Sequence, residues 1–473
     1  MAENAPLACA YRIGLMSQPM SAPEPTHPTA QPRFGVVGEN FNPEVAPSTQ
    51  PKGPQDTIVL IGIGAGGFEE LGLKAQTALR NAEVILGSWR QLNILPESLH
   101  AERHPWPAPQ HPDLESLFKG FNGRHVAVLA SGDPLFFGAG PALVKALGMQ
   151  RLEIIPAPSS ASLACARLGW PLERTLIASL ATDPVETLIP FIDSGARFLV
   201  LGKDEFSAPA IAELLNARGQ GTMRITVLSD LGSSDEEISI GTAAQPPAPV
   251  SALNVIAIEP APDAPKHKRS LVPGADYGEV DKEATLLDPD LRAMTIAALK
   301  PIPGDTLWSV GEPTGTIAIE WLRVLGLSTS GGTRTRARAI CFEATADRAA
   351  QISRTATAAG VPWLKVVHAT PLNAKALKDI RYNTGPDAAS PDAIYLGKAI
   401  LNELITETAW MVLKPGGTMV ASAVNKEEIA KLEEFHAHYG GVLKSFTMGS
   451  SHTAETLSVT QWRATKPLSP SSI

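Results

Sequence analysis

The sequence predicts an α/β protein in two parts, a pair of layered α/β lobes followed by a doubly wound parallel sheet of Rossmann-like type. Three observations carry this. Short β-branched apolar runs alternate with segments of helical period in both halves. Several of these runs stop at glycine-rich turns, as in GIGAGG after Thr57–Gly64. A Pro-rich charged stretch without periodicity, PAPDAPKHKRSLVPGAD from Pro260, separates the halves and reads as a linker.

The expected division is 1–56, an extension; 57–260, the two lobes; 261–286, the linker; 287–467, the doubly wound sheet; and 468–473, a tail. The first 56 residues hold ten prolines and no sustained period, which predicts disorder, and Met16 and Met20 offer later starts. With 473 residues, 44% hydrophobic and 19% charged, the chain has the length and composition for two or three cores. A net charge of −8 argues against a nucleic-acid or membrane partner through bulk electrostatics. Cys9, Cys165 and Cys341 form no CxxC pair, so neither a disulfide framework nor a metal site is expected, and a reducing cytoplasm is. No apolar run approaches the roughly 18–20 residues that span a bilayer, and no signal-peptide pattern opens the chain.

Order begins with TIVLIGIG, a strand running into GIGAGG and then a helix with Leu71, Ala75, Ala78 and Leu79 on one face. Gly62, Gly64 and Gly67 fit G-x-G-x-x-G, but the acid expected about 20 residues on would be Glu83, which instead precedes a second strand, VILG, so a dinucleotide site is not favoured. Ser88-Trp89-Arg90 follows that strand. The most informative stretch is LASGDPLFFGAG, Leu129–Gly140, where a buried strand stops at Ser131-Gly132-Asp133-Pro134 and Gly138 and Gly140 follow. A parallel strand ending this way leaves backbone groups free at the carboxyl edge of a sheet, where open α/β folds bind ligands; the alternative is a turn chosen for geometry alone. Next come a strand and a Pro-flanked turn with Ser159 and Ser160, then a helix from near Ala161. One serine is explained as a helix N-cap, and both suit a polar ligand at the same sheet edge. RFLVLG, ITVLSDLG, EISIGTA and LNVIAIE add strands. In the linker, Lys266, His267, Lys268 and Arg269 read as a solvated cluster.

In the second half a helix, Leu291–Pro301, leads to the strand LWSVG, the loop EPTGT and a helix IAIEWLRVLG. The strands ARAICFE, KVVHA, PDAIYLG and the turn and strand LKPGGTMVASAV follow, with helices between, which implies the doubly wound sheet. Glu343, at the end of the second strand, stands where such folds hold a ribose.

The motifs GIGAGGFEELGLKA, ASGDPLFFGAG, PSSASLACARLGWP, LGSSDEEISIGTA and LNVIAIE, in this order, resemble the tetrapyrrole (precorrin) methylases. The second half, with LWSVGEPTGTIAIEW, AICFE, PDAIYLG, LKPGGTMVASAV and VTQW, is similar to a decarboxylating methyltransferase partner domain, so that the whole resembles the bifunctional precorrin-6Y C(5,15)-methyltransferase (decarboxylating) family of cobalamin biosynthesis. The resemblance implies S-adenosyl-L-methionine as cofactor, a precorrin-type tetrapyrrole as substrate, and a homo-oligomer. It places the first cofactor wall on Gly132, Asp133, Pro134, Phe137, Gly138, Ser159 and Ser160, with Gly62 and Gly64 at the cleft floor; in the second half it retains Gly311, Gly315 and Glu343. Methylation of carbon 5 is implied for the first half, and methylation of carbon 15 with loss of carbon dioxide for the second. The second half departs from the family's D-V-G-A-G-S-G-S, reading Ser309 to Thr316 as SVGEPTGT, and its I-G-G-G becomes Leu396-Gly397-Lys398-Ala399. Pro313 removes a backbone donor and Glu312 adds charge and bulk. A diverged working site and a non-catalytic substrate-binding or oligomerisation module both stand as readings of this half, with weakened cofactor binding the expectation; Lys398 is a candidate for a substrate carboxylate.

Overall fold

The computed structural model of the chain describes residues 57–106, 113–261, 288–326, 337–368, 390–449 and 456–468. The N-terminal extension, most of the linker with its basic cluster, and Cys9 lie outside the described residues.

Three sheets organise what is described. The first is wholly parallel, in the order β3-β2-β4-β1-β5, from β1 (Ile58–Ile63), β2 (Val84–Gly87), β3 (Glu102–Pro105), β4 (Val126–Ser131) and β5 (Leu152–Ile155). Because side chains alternate along a strand, Ile61, Ile63, Ile85 and Leu129 face one way and Leu60, Leu86, Val128 and Ala130 the other, all buried. Helices α1 (Leu73–Asn81) and α2 (Trp89–Asn93) cover the first face, and α3 (Leu114–Lys119) and α4 (Gly140–Leu147) the second. Burial on both faces is what makes the runs apolar throughout rather than alternating.

The second sheet is mixed, in the order β6-β7-β10-β8-β9, from β6 (Leu176–Ser179), β7 (Phe198–Leu201), β8 (Arg224–Ser229), β9 (Glu237–Thr242) and β10 (Asn254–Glu259). Only β6 and β7 pair in parallel; the other pairings are antiparallel. Helix α5 (Ser160–Leu168) packs on one face through Ala161, Ala164 and Cys165, while α6 (Ile189–Asp193) and α7 (Ser207–Ala217) pack on the other. β9 is the edge, and its polar alternation fits that place.

The third sheet runs β13-β12-β11-β14-β15-β17-β16, from β11 (Thr306–Val310), β12 (Arg338–Glu343), β13 (Lys365–His368), β14 (Ala393–Leu396), β15 (Thr418–Ala423), β16 (Val442–Gly449) and β17 (Thr456–Thr465). Helices α8 (Pro289–Leu299), α9 (Thr316–Gly326) and α10 (Ala346–Ala358) cover one face, and α11 (Glu403–Val412) and α12 (Lys426–Tyr439) the other. The sheet is therefore doubly wound, as expected, but β17 pairs antiparallel with both β15 and β16, so it is not parallel throughout. The expectation of an all-parallel sheet missed this because β16 and β17 follow one another without the crossover helix that a parallel pair needs. β3 and β6 were also not legible: each has four residues, and β3 is the charged, proline-ended ERHP at a sheet edge.

Helices in the two halves meet at Asp193, which ends α6. Its Oδ1 accepts from the Arg218 guanidinium at 2.7 Å, and its Oδ2 accepts from Arg323 of α9 at 2.9 Å. All of this lies in buried or half-buried surroundings, and Gly360, with φ of +81°, packs its bare Cα against Ile189 and Pro190 in the same contact.

Candidate functional site

Three separate segments converge at the carboxyl ends of β1 and β4. Gly62 lies in β1 opposite Ala130, and a Cβ there would run into the Gly132 carbonyl oxygen and the Ala157 nitrogen. Gly132 itself has φ of +58°, donates its N–H to the Ile63 carbonyl at 3.0 Å, and faces Pro158 and the Ser159 Cα. Only glycine meets both the close approach at Gly62 and the left-handed backbone at Gly132 at low cost. Gly64 is different: nothing comes within 4 Å of where its Cβ would stand, so this face of the loop is open.

The turn after β4 closes on itself. The Asp133 carboxylate accepts the Leu135 N–H at 2.8 Å, and the Pro134 carbonyl accepts the Gly140 N–H at 3.0 Å. Gly138 lies so close to the Pro134 carbonyl that a Cβ would press on it. Phe137 takes a φ of +52°, rare for an aromatic residue, and is held there by edge contact with Phe136 and by packing of both rings on the core between α5 and the second sheet. The loop that ends a strand of the first lobe thus plugs into the core of the second. Ser159 caps α5, its hydroxyl accepting the Ser162 N–H at 3.0 Å and lying 2.9 Å from the Ser162 hydroxyl. Ser160 opens the helix beside it and is half-buried.

A cleft of about 380 Å³ opens here, lined by Asp133, Phe136, Ala157, Pro158, Ser159, Ser162, Leu172, Glu173, Thr175 and Ile177. That volume is within the roughly 300–1,000 Å³ of small-molecule sites. Asp133 and Ser159 line it directly; Gly62 and Gly132 pack behind that lining, against Ala157, Pro158 and Ser159. The cradle of bare glycines, the open face at Gly64 and a mostly apolar lining with a few polar groups, Asp133 and Ser159 among them, fit a nucleoside-bearing cofactor of S-adenosylmethionine size.

The second half has its own turn at the switch point between β11 and β14, where strand order reverses. Gly311 and Gly315 have φ of +67° and +70°. Gly311 donates to the Phe342 carbonyl at 3.3 Å, which sets it beside Glu343 at the end of β12. The Glu343 side chain is buried and accepts the Thr345 N–H at 2.9 Å. Glu312 turns inward and is buried: one carboxyl oxygen accepts both the N–H and the hydroxyl of Thr314, and the other has no hydrogen-bond partner among the described residues. Burial pushes the Glu312 carboxyl above the usual carboxylate range, against the pull of the Thr314 donors. From the facing loop, Lys398 donates its N–H to the Gly311 carbonyl at 3.0 Å and Ala399 packs on Gly311. Pro313 has no N–H to offer and that of Thr314 is taken, so this turn offers a cofactor fewer backbone donors than a glycine-rich turn does. The Lys398 side chain is exposed.

Sequence reasoning named Arg90 without assigning it a role. Ser88 and Gln91 form a reciprocal capping box at the start of α2, a signal present in S-x-x-Q. That box aims Gln91 Nε2 at the Ser131 hydroxyl, 3.1 Å away, and Arg90 Nη2 reaches the same hydroxyl at 3.2 Å.

Two family models match the chain: "Tetrapyrrole (Corrin/Porphyrin) Methylases" over residues 57–247 and "Precorrin methyltransferase domain" over residues 279–471. A precorrin-6Y C(5,15)-methyltransferase [decarboxylating] from Sinorhizobium sp is 34% identical over 417 residues, 86% of this chain and 96% of the relative. One of the same description from Mycobacterium tuberculosis (strain CDC 1551 / Oshkosh) is 34% identical over 423 residues, 86% of this chain and 100% of the relative. A cobalt-precorrin-7 C(5)-methyltransferase from Salmonella typhimurium is 29% identical over 203 residues, 42% of this chain and 92% of the relative. With two lobes joined through the Asp133 loop, a doubly wound sheet behind them and relatives matched over nearly their whole length, the chain is a methyltransferase and belongs to the precorrin-6Y C(5,15)-methyltransferase (decarboxylating) family.

Proposed function

We propose that the chain transfers methyl groups from S-adenosyl-L-methionine to a precorrin macrocycle in cobalamin biosynthesis, at carbon 5 through the module 57–260 and at carbon 15, with loss of carbon dioxide from an acetate side chain, through the module 287–467. The observation that carries the reading is the convergence of the Gly62, Gly132 and Ser159 segments on one cleft. The cofactor supplies an electrophilic methyl group on a sulfonium. What this chain contributes is placement: Asp133 and Ser159 line the cleft, Pro134, Phe137, Gly138 and Ser160 hold the two turns that carry them, Gly62 lets those turns pack closely, and Gly64 leaves an open face for the ligand. Alignment of this kind can remove up to roughly 7–11 kcal/mol of the barrier, and an SN2 transfer from a sulfonium needs no nucleophilic side chain. Free, buried Cys165 and Cys341 favour a reducing, cytoplasmic setting, and a homo-oligomer belongs to the same reading.

A second reading concerns the second half alone. Glu312 and Pro313 in its glycine turn favour a module that holds the macrocycle, or joins copies of the chain, without transferring a methyl group. Mass spectrometry of products from the full chain, precorrin-6Y and labelled cofactor separates the two. Two added methyl groups with loss of carbon dioxide support catalysis by both halves. One methyl group without that loss leaves the first half as the catalyst, and no methyl group overturns the proposal.

A further inference from the structure

We infer that Arg90 forms, with the exposed Trp89 beside it, a subsite for one peripheral carboxylate of the macrocycle at the mouth of the first cleft. The inference rests on the methylation reading above and adds the residue that reads the substrate.

The placement comes first. Arg90 sits on α2 just past the carboxyl end of β2, and β2 lies next to β4 in the sheet. Its guanidinium bonds the Ser131 hydroxyl at 3.2 Å, and Ser131 stands two residues before Asp133. The charge is therefore anchored at the edge of the same loop that lines the cleft. Its direction is set from behind, since the Ser88–Gln91 capping box orients Gln91 onto the other side of the Ser131 hydroxyl.

The charge is also incompletely answered. One neutral hydroxyl is its hydrogen-bond partner, and among the described residues no carboxylate forms an ion pair with it. Burial holds the guanidinium below its ordinary value, and the charge of Asp230, from the end of β8 in the other lobe, works against that. Asp230 has a φ of +46°, and its amide and carbonyl are spent on Leu253 and Ser233, which fixes its backbone. Arg90 and Asp230 thus feel one another across the lobes without pairing. A guanidinium that has lost part of its hydration and lacks a carboxylate has unused donors in a planar fork, the geometry that takes a carboxylate with two parallel hydrogen bonds.

The surroundings suit a large, flat, acid-bearing ligand rather than a lone anion. Trp89 is 68% exposed and Leu135, on the cleft loop, is 51% exposed. Trp89 precedes Arg90 on the same short helix, and its exposed indole offers a face for a conjugated ring while the guanidinium offers a charge for that ring's side chain.

The test is steady-state methyl transfer from labelled S-adenosylmethionine by the full chain, with cofactor affinity measured separately by calorimetry. Arg90→Ala is expected to raise KM for the macrocycle by about 10- to 100-fold, the range for a lost hydrogen bond to a charged group. The cofactor Kd and kcat should stay within about threefold of the unsubstituted chain by the same reasoning. Arg90→Lys, which keeps charge and loses the fork, should recover part of the loss, and Trp89→Ala should raise the macrocycle KM alone. A thermal melt of each variant confirms folding. If Arg90→Ala leaves the macrocycle KM unchanged, or weakens cofactor and macrocycle equally, the guanidinium is a brace for the Ser131 loop and the inference is overturned while the methylation reading stands. If the unsubstituted chain binds cofactor yet methylates no macrocycle, both fall together.

Discussion

Gly62, in β1, and Gly64, just past its end, stand two residues apart and answer to different constraints. At Gly62 an added methyl group meets backbone on two sides, so Gly62→Ala forces β1 away from the Asp133 turn and is expected to lower stability by about 1–3 kcal/mol, seen as a reduced melting temperature. Gly64→Ala meets nothing within 4 Å and should melt with the unsubstituted chain, while its methyl group intrudes on the cleft and weakens S-adenosylmethionine binding in calorimetry. Unchanged affinity in Gly64→Ala would remove Gly64 from the cofactor site. Glu312 is the residue whose chemistry departs furthest from a glycine turn. Its folded pKa is raised by burial, so the folded chain binds the proton more tightly than the unfolded one. The stability this contributes is full below the unfolded pKa and is lost as pH rises through the folded pKa. Glu312→Gln should accordingly flatten the fall in melting temperature as pH rises above the ordinary carboxylate range; parallel pH profiles for the two chains would contradict it.

At the scale of elements, α5 shows how one feature serves both fold and site. Ser159 is the cap of the helix and a wall of the cleft at once. Ser159→Ala leaves the Ser162 N–H without its acceptor and is expected to cost about 1 kcal/mol in denaturant unfolding. The loop between β4 and α4 is the other such element. Its Phe136 and Phe137 pack into the core under the second sheet, so the lobes are joined by the same loop that brings Asp133 and Phe136 to the cleft. The cleft's shape is for this reason set by packing rather than by loop flexibility.

At the scale of the whole molecule, Asp193 joins the halves of the chain through a buried ion pair. A buried carboxylate shared by Arg218 and Arg323 is balanced only while both guanidinium groups are present. Asp193→Ala leaves two cations facing one another and is expected to cost about 3–5 kcal/mol. Because one cation comes from α7's end and the other from α9, the loss should also split a single thermal transition into two, read by calorimetry. A single transition at a slightly lower temperature would mean that the halves are held together elsewhere.

Local pattern determined a great deal: the alternation of apolar runs and helical periods, the Gly-Asp-Pro turn, a serine cap at one of Ser159 and Ser160 and the family motifs were all legible because each depends on residues near in sequence. The convergence of Gly62, Gly132 and Ser159 was legible only as a set of candidates. That Gly62 is bare because Gly132 and Ala157 press on it is a fact of packing between segments 70 to 95 residues apart. The antiparallel β15-β17-β16 edge, the inward turn of Glu312, the placing of Arg90 against Ser131 and the sharing of Asp193 between halves were decided by tertiary structure alone. Each is a choice of partner at long range, and a chain's local periodicity states which face is buried but not what is buried against it.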